Sequence, residues 1–337
     1  MGGLAGHMDH IIDNEYLTGY NLKEIVREAL VGNLKDVREK FDGFNIFASK
    51  NKEGQIVFAR NNGDIINGGM SIMDIREKWK NKPEVLNKYI PGLKIIIDIL
   101  NKSFYNFHTS EKQYYLNCEC IIKGITNIIQ YDKDMVIFHC LYEYSNEGKL
   151  RNILDIPSFL KFELTTDKSS TGNYLTFNKR GDINYLINYI NRIFEDDNDT
   201  IEEHCYRRFK QYIYKFKLSE DQSKKLFQRY FIKYPLKDLR KIISNEVIEY
   251  CESHKKEIKE YMYRLLKQFQ LRFEDEVINC YTGYTNKTFP SYILNKIPTP
   301  IPVPLKNTEG IVCRYDRIEF KCTGGFAIVN QLLHERY

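Results

Sequence analysis

The sequence predicts an α+β protein in which strand-forming segments at both ends of the chain enclose a long helical block. The chain has 337 residues, 42% of them hydrophobic, so it is long enough and apolar enough to bury a sizeable core. Apolar residues alternate in the manner of strands before residue 145 and after residue 309, but recur at helical spacing over residues 183–281. We therefore expect an antiparallel-sheet core with a large α-helical insertion or accessory domain.

In the first half of the chain, helical periodicity marks two segments, residues 9–37 and 70–104. Alternation typical of strands marks five others, residues 38–50, 54–64, 113–122, 126–131 and 135–144. The segment 159–166 is a further strand candidate. Residues 1–8 are left out of the fold as a cloning remnant, because they lack the basic segment that opens a signal peptide.

The second half opens with the helical block and ends in strands. The proline-rich segment 298–304 predicts a stiff, extended linker. Two strand patterns follow it, at residues 310–316 and 317–323. The predicted domains are a basic helical domain and a discontinuous core, residues 180–290 and residues 9–175 with 300–337.

Positive charge is concentrated in the helical block. The net charge of the chain is only +5, but residues 201–272 contain 18 Lys and Arg against 10 Asp and Glu. A basic excess confined to one region suits a polyanion such as nucleic acid, although a solvated helical face has the same composition. Aromatic residues lie between these charges and favour stacking on exposed bases. The candidate nucleic-acid contacts are Arg207, Arg208 and Lys210.

Cysteine placement and hydropathy predict a cytoplasmic protein without a membrane partner. No apolar run approaches the roughly 20 residues that a membrane helix needs. The eight cysteines lie in apolar strand or helix patterns, with no Cys-x-x-Cys pair. This favours buried free thiols in a reducing compartment over a zinc site.

Lys40 precedes the pair Asp42-Gly43, and this short pattern has two interpretations. Asp-Gly between apolar runs ordinarily forms a tight hairpin turn, which would make Lys40 a surface residue. Alternatively, Lys40 is held at the edge of a strand as a nucleophile. An amine attacks only when it has lost its proton, so a nucleophilic lysine needs nearby cations or a desolvated site.

Five more patterns follow "EKFDG" (39–43) in order: "FARNNGD" (58–64), "LNCECII" (116–122), "VIFHCLY" (136–142), "EGIV" (309–312) and "EFKCTGGF" (319–326). The series resembles the covalent nucleotidyltransferase superfamily, which includes the ATP-dependent RNA and DNA ligases and the mRNA capping enzymes. That family shows Lys-x-Asp-Gly, a strand Glu, an aromatic strand, Glu-Gly and a strand ending in Lys. The resemblance covers about residues 30–145 and 305–330. The closing segment also looks like the ends of certain phage-encoded RNA-ligase-like proteins that carry a helical insertion.

The resemblance implies that Lys40 attacks the α-phosphate of ATP to form lysyl-AMP, and that Lys321 stabilises the transferred group. Glu119 and Glu309 would bind Mg²⁺ or Mn²⁺. Glu309 would alternatively orient Lys40. The implied nucleotide contacts are Glu39, Asp42, Gly43, Asn45, Arg60, Glu119, Phe138 and Lys321.

Three of these nucleotide contacts have particular roles in the family. A Glu at the place of Glu39 contacts the nucleobase in RNA ligases, and Arg60 matches an arginine beside the ribose and phosphates. Phe138 would stack on the base, although core packing explains it nearly as well. His139 alternates to the other face of its strand and is assigned a structural role.

The sequence departs from the family pattern at three places. Glu319 stands where the last strand often has a first lysine. Asn45 stands where DNA ligases and capping enzymes usually have arginine, but several RNA ligases have asparagine. Only 16 residues follow Lys321, which leaves no room for the OB-fold of DNA ligases and capping enzymes. The helical block is therefore expected to supply the remaining contacts with nucleic acid.

These observations predict an ATP-dependent polynucleotide ligase that acts on RNA rather than DNA. Such an enzyme moves AMP from Lys40 to a 5′-phosphate and seals that end to a 3′-hydroxyl. The alternatives are a DNA nick-sealing ligase, a capping guanylyltransferase, and a catalytically inactive nucleic-acid-binding protein of the same fold.

Overall fold

The computed structural model describes residues 8–123, 131, 133–145, 150–154, 156–172, 175–231, 235–282, 284–285, 303–304 and 309–325. Its strands are β1 (Lys35–Lys40), β2 (Phe44–Lys50), β3 (Ile56–Ala59), β4 (Lys112–Ile121), β5 (Met135–Ser145), β6 (Leu150–Leu154), β7 (Ser169–Ser170), β8 (Tyr284–Thr285), β9 (Val303–Pro304), β10 (Gly310–Tyr315) and β11 (Ile318–Cys322). Nearly all strand pairs are antiparallel, in agreement with the predicted α+β class.

The helices are α1 (Gly19–Val31), α2 (Asn62–Ile66), α3 (Ile72–Lys78), α4 (Pro83–Lys102), α5 (Ser158–Leu164), α6 (Ile183–Ile193), α7 (Ile201–Ile213), α8 (Glu220–Phe231), α9 (Leu236–Leu239), α10 (Asn245–Ser253) and α11 (Lys255–Thr282). Short 3₁₀ turns occupy Ile11–Asp13 and Tyr214–Phe216. The long helical run after residue 183 was predicted from its apolar periodicity.

The larger sheet has the strand order β3-β2-β4-β5-β6, with β7 parallel to β5. One face of this sheet packs against α4 and forms a buried core. Because successive side chains of β2 and β4 point to opposite faces, one set of small and apolar side chains lies on that face. They are Phe44, Ile46, Ala48, Cys118 and Cys120.

The smaller sheet has the order β1-β10-β11 and contributes to a second core. Its inward side chains include Val37, Ile311 and Phe320, which pack with α1, α6, α7 and α11. The two cores therefore divide the chain differently from the predicted domains (9–175 with 300–337, and 180–290). The reason is that α1 and the smaller sheet each have one apolar face, and the helical block covers both.

The predicted helical segment 9–37 ends earlier than expected, because β1 begins at Lys35, and the prediction of a strand at residues 159–166 was wrong. Helix α1 ends at Gly32, which adopts the left-handed conformation with φ 93°. Residues 159–166 lie mostly in helix α5 rather than in a strand, because Leu160 and Leu164 share one helical face and insert together into the core. Of the predicted strand 126–131 and linker 298–304, only Tyr131 and the two residues of β9 are described.

The eight cysteines are all buried and form no disulfide, which confirms the expected buried thiols. No helix in the described ranges is both long and apolar enough to cross a membrane.

Candidate active site

The Asp42-Gly43 segment carries the chain from the smaller sheet into the larger one. Strand β1 pairs with β10, whereas β2 pairs with β3 and β4, so β1 and β2 do not form a hairpin. A Cβ on Gly43 would lie 2.6 Å from the carbonyl oxygen of Cys120, and the Gly43 N–H donates to Glu119 Oε1 at 3.0 Å. The hairpin interpretation is therefore wrong, and Lys40 lies where the two sheets meet.

Lys40 forms an ion pair with Glu309, in which Lys40 Nζ donates to Glu309 Oε2. The Glu309 N–H also donates to the carbonyl oxygen of Lys40 at 3.0 Å. The two side chains are only 25% and 18% exposed. Burial raises the pKa of Glu309, Lys40 opposes this shift, and the carboxylates of Asp42 and Glu119 add to it. Glu309 therefore binds a proton more tightly than an exposed glutamate does.

Glu119 lies in β4 opposite Asn45, and the Asn45 amide donates to Asn117 Oδ1. Strand alternation places these three side chains on the face of the larger sheet opposite α4. His139 Nε2 lies 3.9 Å from Glu119 Oε2 on the same face. The predicted structural role of His139 on the other face is therefore not supported, because an irregularity in the β4–β5 register inserts one residue here.

The same irregularity moves Phe138 away from the site. Phe138 pairs with Cys118, is completely buried, and packs in the core beneath α4. The prediction that Phe138 stacks on a base is therefore wrong, because its ring has no free face. A different apolar cluster lies on the Glu119 side of the sheet, formed by Phe41, Ile121 and Ile137 with Tyr131 and Met135 at its edge.

Tyr131 joins this apolar cluster to Lys40 and its neighbours. Its hydroxyl accepts a hydrogen bond from the Asp42 N–H at 2.8 Å. Burial raises the pKa of Tyr131, and the nearby carboxylates of Asp42, Glu309 and Glu39 raise it further. Glu39 is 6% exposed, so it is not an exposed strand carboxylate. Sequence reasoning missed this cluster because its members come from separate segments. The quoted patterns contain Phe41, Ile121 and Ile137, but they do not show that these side chains meet.

Lys321 lies on the same face of the smaller sheet as Lys40. The strand register aligns Arg38, Val312 and Lys321 across β1, β10 and β11, and Arg38 precedes Lys40 by two residues. Glu319, which replaces the expected first lysine of β11, lies with Oε1 3.7 Å from the Arg38 guanidinium. This face therefore carries a guanidinium from β1 in addition to Lys321.

The polar face of the smaller sheet is turned toward the larger sheet. Burial raises the pKa of the Cys140 thiol in β5 to about 11. Two side chains of the smaller sheet also act on this thiol, since Arg38 lowers its pKa and Glu319 raises it. Lys40, Glu309 and Glu119 therefore lie between two facing sheets, where bulk water is partly excluded.

Arg60 lies just beyond β3, where its N–H donates to Asp64 Oδ2 at 2.9 Å. Its guanidinium lies 5.1 Å from the ring centroid of Tyr89. Tyr89 packs against Phe44 in the core on the α4 side of the larger sheet, which is the face opposite Glu119. The ring contact of Arg60 is therefore with that core and not with the carboxylate site.

The three predicted nucleic-acid contacts have different partners. Arg207 donates to Asp199 Oδ2 at 2.6 Å, and Lys210 forms an ion pair with Glu220. Arg208 instead lies 4.0 Å from the ring centroid of Tyr261. Two of the three cations are thus paired with carboxylates of the chain itself.

Neither a family model nor a curated protein matches this sequence. The geometry of the site therefore carries the functional argument.

The described residues contain no group of three or more His, Cys, Asp or Glu side chains arranged to hold a metal ion. Mg²⁺ is often held by one or two carboxylates together with phosphate oxygens and water. Lys40 lowers the pKa of Glu309, whereas Asp42 and Glu119 raise it, so three carboxylates lie in electrostatic range of one lysine and their negative charge exceeds its positive charge. A divalent cation would offset that charge, so these carboxylates fit Mg²⁺ or Mn²⁺ when a phosphate substrate is bound.

Proposed function

We propose that this protein is an ATP-dependent polynucleotide ligase with a nucleotidyltransferase core, acting on RNA through a lysyl-AMP intermediate at Lys40. The observation that carries the proposal is the contact of Lys40 with the half-buried Glu309 near Glu119, between two facing sheets. These residues come from three motifs that follow one another in the order known from that superfamily. A surface lysine in a hairpin turn would have no such partner.

In the proposed first step, Lys40 Nζ passes a proton to Glu309, which contacts it and whose pKa is raised by burial. The amine then attacks the α-phosphorus of ATP. A P–N bond forms, the P–O bond to pyrophosphate breaks, and the electron pair leaves with pyrophosphate. Lys321 and Arg38 supply positive charge on the same face.

Glu119 and Asp42 would hold the divalent cation, because Glu309 takes the Lys40 proton in this step. The cation would supply charge neutralisation for the phosphates. The apolar cluster of Phe41, Ile137 and Tyr131 would receive the adenine, with Glu39 close by. The AMP would next pass to a 5′-phosphate, forming a new anhydride and freeing Lys40. A 3′-hydroxyl would then attack the activated phosphate, forming the phosphodiester and releasing AMP.

The test is the intact mass of the protein after incubation with ATP and Mg²⁺ in the presence of pyrophosphatase. We expect a gain of one adenylyl group in the wild type and in Lys52→Ala, whose side chain is 75% exposed, but not in Lys40→Ala. GTP in place of ATP serves as the second arm, and an adduct with GTP alone would assign the chain to the capping guanylyltransferases.

No adduct with either nucleotide, in a preparation that is not already adenylated, would overturn the covalent mechanism. Retained joining of polynucleotide ends by Lys40→Ala would do the same. For a self-adenylating wild type, joining of 5′-phosphorylated RNA in preference to nicked DNA supports the RNA assignment, and the reverse preference contradicts it.

A further inference from the structure

Helix α11 carries a row of aromatic, amide and guanidinium groups along one face, in which Tyr261 is half-buried and the other three are exposed. Tyr261, Arg264, Gln268 and Arg272 are spaced by three or four residues, which places them on one side of the helix over about 16 Å. Arg208 of α7 and Tyr185 of α6 flank the row at its two ends. We call these six residues the α11 stripe.

Rings and guanidinium groups alternate within the α11 stripe. Arg208 lies 4.0 Å and Arg264 lies 5.6 Å from the ring centroid of Tyr261. Arg272 lies 5.5 Å from the ring centroid of Tyr185, whose side chain is 41% exposed. These contacts hold the cations and rings in fixed positions at the surface.

Carboxylates are excluded from the segments that form the α11 stripe. No Asp or Glu occurs at residues 183–193, 204–219 or 261–272. Among the described residues, Arg264 and Arg272 form no ion pair. The positive charge of the α11 stripe is therefore available to an anionic partner, unlike that of Arg207 and Lys210.

Glu260 and Glu276 adjoin the two ends of the α11 stripe on the same helix, whereas several other carboxylates near it have partners elsewhere in the chain. Asp182 caps α6 by accepting from the Tyr185 N–H at 2.9 Å, and Glu257 contacts Tyr212. In the connection between α6 and α7, Asp197 pairs with Lys23 and Asp199 with Arg207. Asp275, one turn beyond Arg272, accepts a hydrogen bond from the Gly325 N–H at 2.8 Å.

Helix α11 also connects the α11 stripe to the candidate active site. Two residues after Arg272, the buried Glu274 accepts hydrogen bonds from the N–H groups of Thr323 and Gly324 at 2.9 and 2.8 Å. Those residues directly follow the strand that carries Lys321. The Arg272 end of the α11 stripe therefore lies two residues along α11 from the contact between this helix and the end of β11.

We propose that the α11 stripe binds single-stranded RNA, and this rests on the proposed ligase function. Guanidinium groups separated along the helix suit successive phosphates. The exposed Tyr185 ring and the half-buried Tyr261 ring offer aromatic surface to unpaired bases. A duplex would leave the rings without a partner, because its bases are already stacked. An acidic peptide would satisfy the charges but would not use the rings.

The test is the affinity of the full chain for a short, unstructured RNA with a 5′ fluorophore, measured by anisotropy over a range of salt concentrations. For Arg264→Glu with Arg272→Glu, we expect affinity to fall at least about tenfold and the log–log salt slope to fall by about 1.4, since two phosphate contacts are lost. Tyr185→Leu should weaken binding about fivefold or more. The control is the double variant Lys255→Glu with Lys259→Glu, which makes the same change of net charge on the other side of α11. Its affinity for RNA should stay within about twofold of wild type.

Unchanged affinity of the double arginine variant would overturn the proposal, as would equal losses in both charge-reversal variants. Competition by polyglutamate equal to that of single-stranded RNA would assign the α11 stripe to an acidic peptide instead. Arg264→Lys with Arg272→Lys keeps the charge and should restore most of the affinity, which separates the contact from a folding defect. Self-adenylation with ATP is measured in parallel, because its absence in the wild type would overturn the ligase function whether or not RNA binds.

Discussion

Lys40 and Glu309 are 269 residues apart in the sequence and form an ion pair between the two sheets. Their main chains are joined as well, since the Glu309 N–H donates to the Lys40 carbonyl oxygen. Pairing of β1 with β10 sets this contact, because Lys40 lies opposite Gly310. The side chains therefore meet as a consequence of strand register, and a mutation in either strand acts on both.

Replacement of Glu309 by glutamine tests its role as the proton acceptor. Glu309→Gln keeps the size of the side chain but removes the charge that receives the Lys40 proton. We expect the single-turnover rate of self-adenylation to fall by about 10²–10⁴-fold, measured by intact mass. The exposed Glu111→Gln serves as the control and should react at the wild-type rate. A Glu309→Gln rate within about twofold of wild type would exclude Glu309 from the first step.

A methyl group at Gly43 should disturb the crossing between the sheets. Its Cβ would lie 2.6 Å from the Cys120 carbonyl oxygen and 3.0 Å from Glu119 Cγ. We expect Gly43→Ala to lower the free energy of unfolding by about 1–3 kcal/mol in urea titrations and to slow self-adenylation. Gly63→Ala, at an exposed helical position, is the matched control and should be neutral or stabilising. Equal stability of the two variants would contradict the close approach.

Phe138 should act on stability and not on nucleotide binding. Its ring is completely buried beneath α4, so Phe138→Leu should lower the free energy of unfolding by about 1–2 kcal/mol. The KM for ATP in self-adenylation should stay unchanged. Ile137→Ala, which alters the apolar cluster on the Glu119 side, should raise that KM. A raised KM in Phe138→Leu together with an unchanged KM in Ile137→Ala would instead indicate that Phe138 stacks on the base.

The raised pKa of Asp275 leads us to expect that the free energy of unfolding depends on pH. Burial raises its pKa to about 7, so the folded protein holds this proton more tightly than the unfolded chain does. The stability it contributes is fully present below the unfolded pKa of 3.8 and is lost as the pH rises through about 7. Asp275→Asn removes this titration. From pH 5 to pH 8, the variant should therefore gain on the order of 2 kcal/mol relative to the wild type.

Urea unfolding of Asp275→Asn at several pH values measures the effect, with the exposed Asp221→Asn as the control. If the difference in the free energy of unfolding between Asp275→Asn and the wild type does not change with pH, the raised pKa of Asp275 is contradicted.

The sequence by itself determined the helical block, most of the strands, the buried thiols and the order of the short motifs around Lys40, Glu119, Glu309 and Lys321. Each of these depends on residues close together in the chain, where the spacing of apolar side chains reports the local backbone period. The sequence also located the basic region, but not which of its cations are paired within the protein.

Only the tertiary structure decided which side chains meet and which faces they share. One extra residue in the β4–β5 register moves Phe138 into the core and His139 beside Glu119, and no local pattern marks that irregularity. Pairing of β1 with β10 brings Lys40 to Glu309, and it likewise places Arg38 against Glu319. Contacts of this kind depend on long-range register, because a shift of one residue in a strand exchanges its two faces.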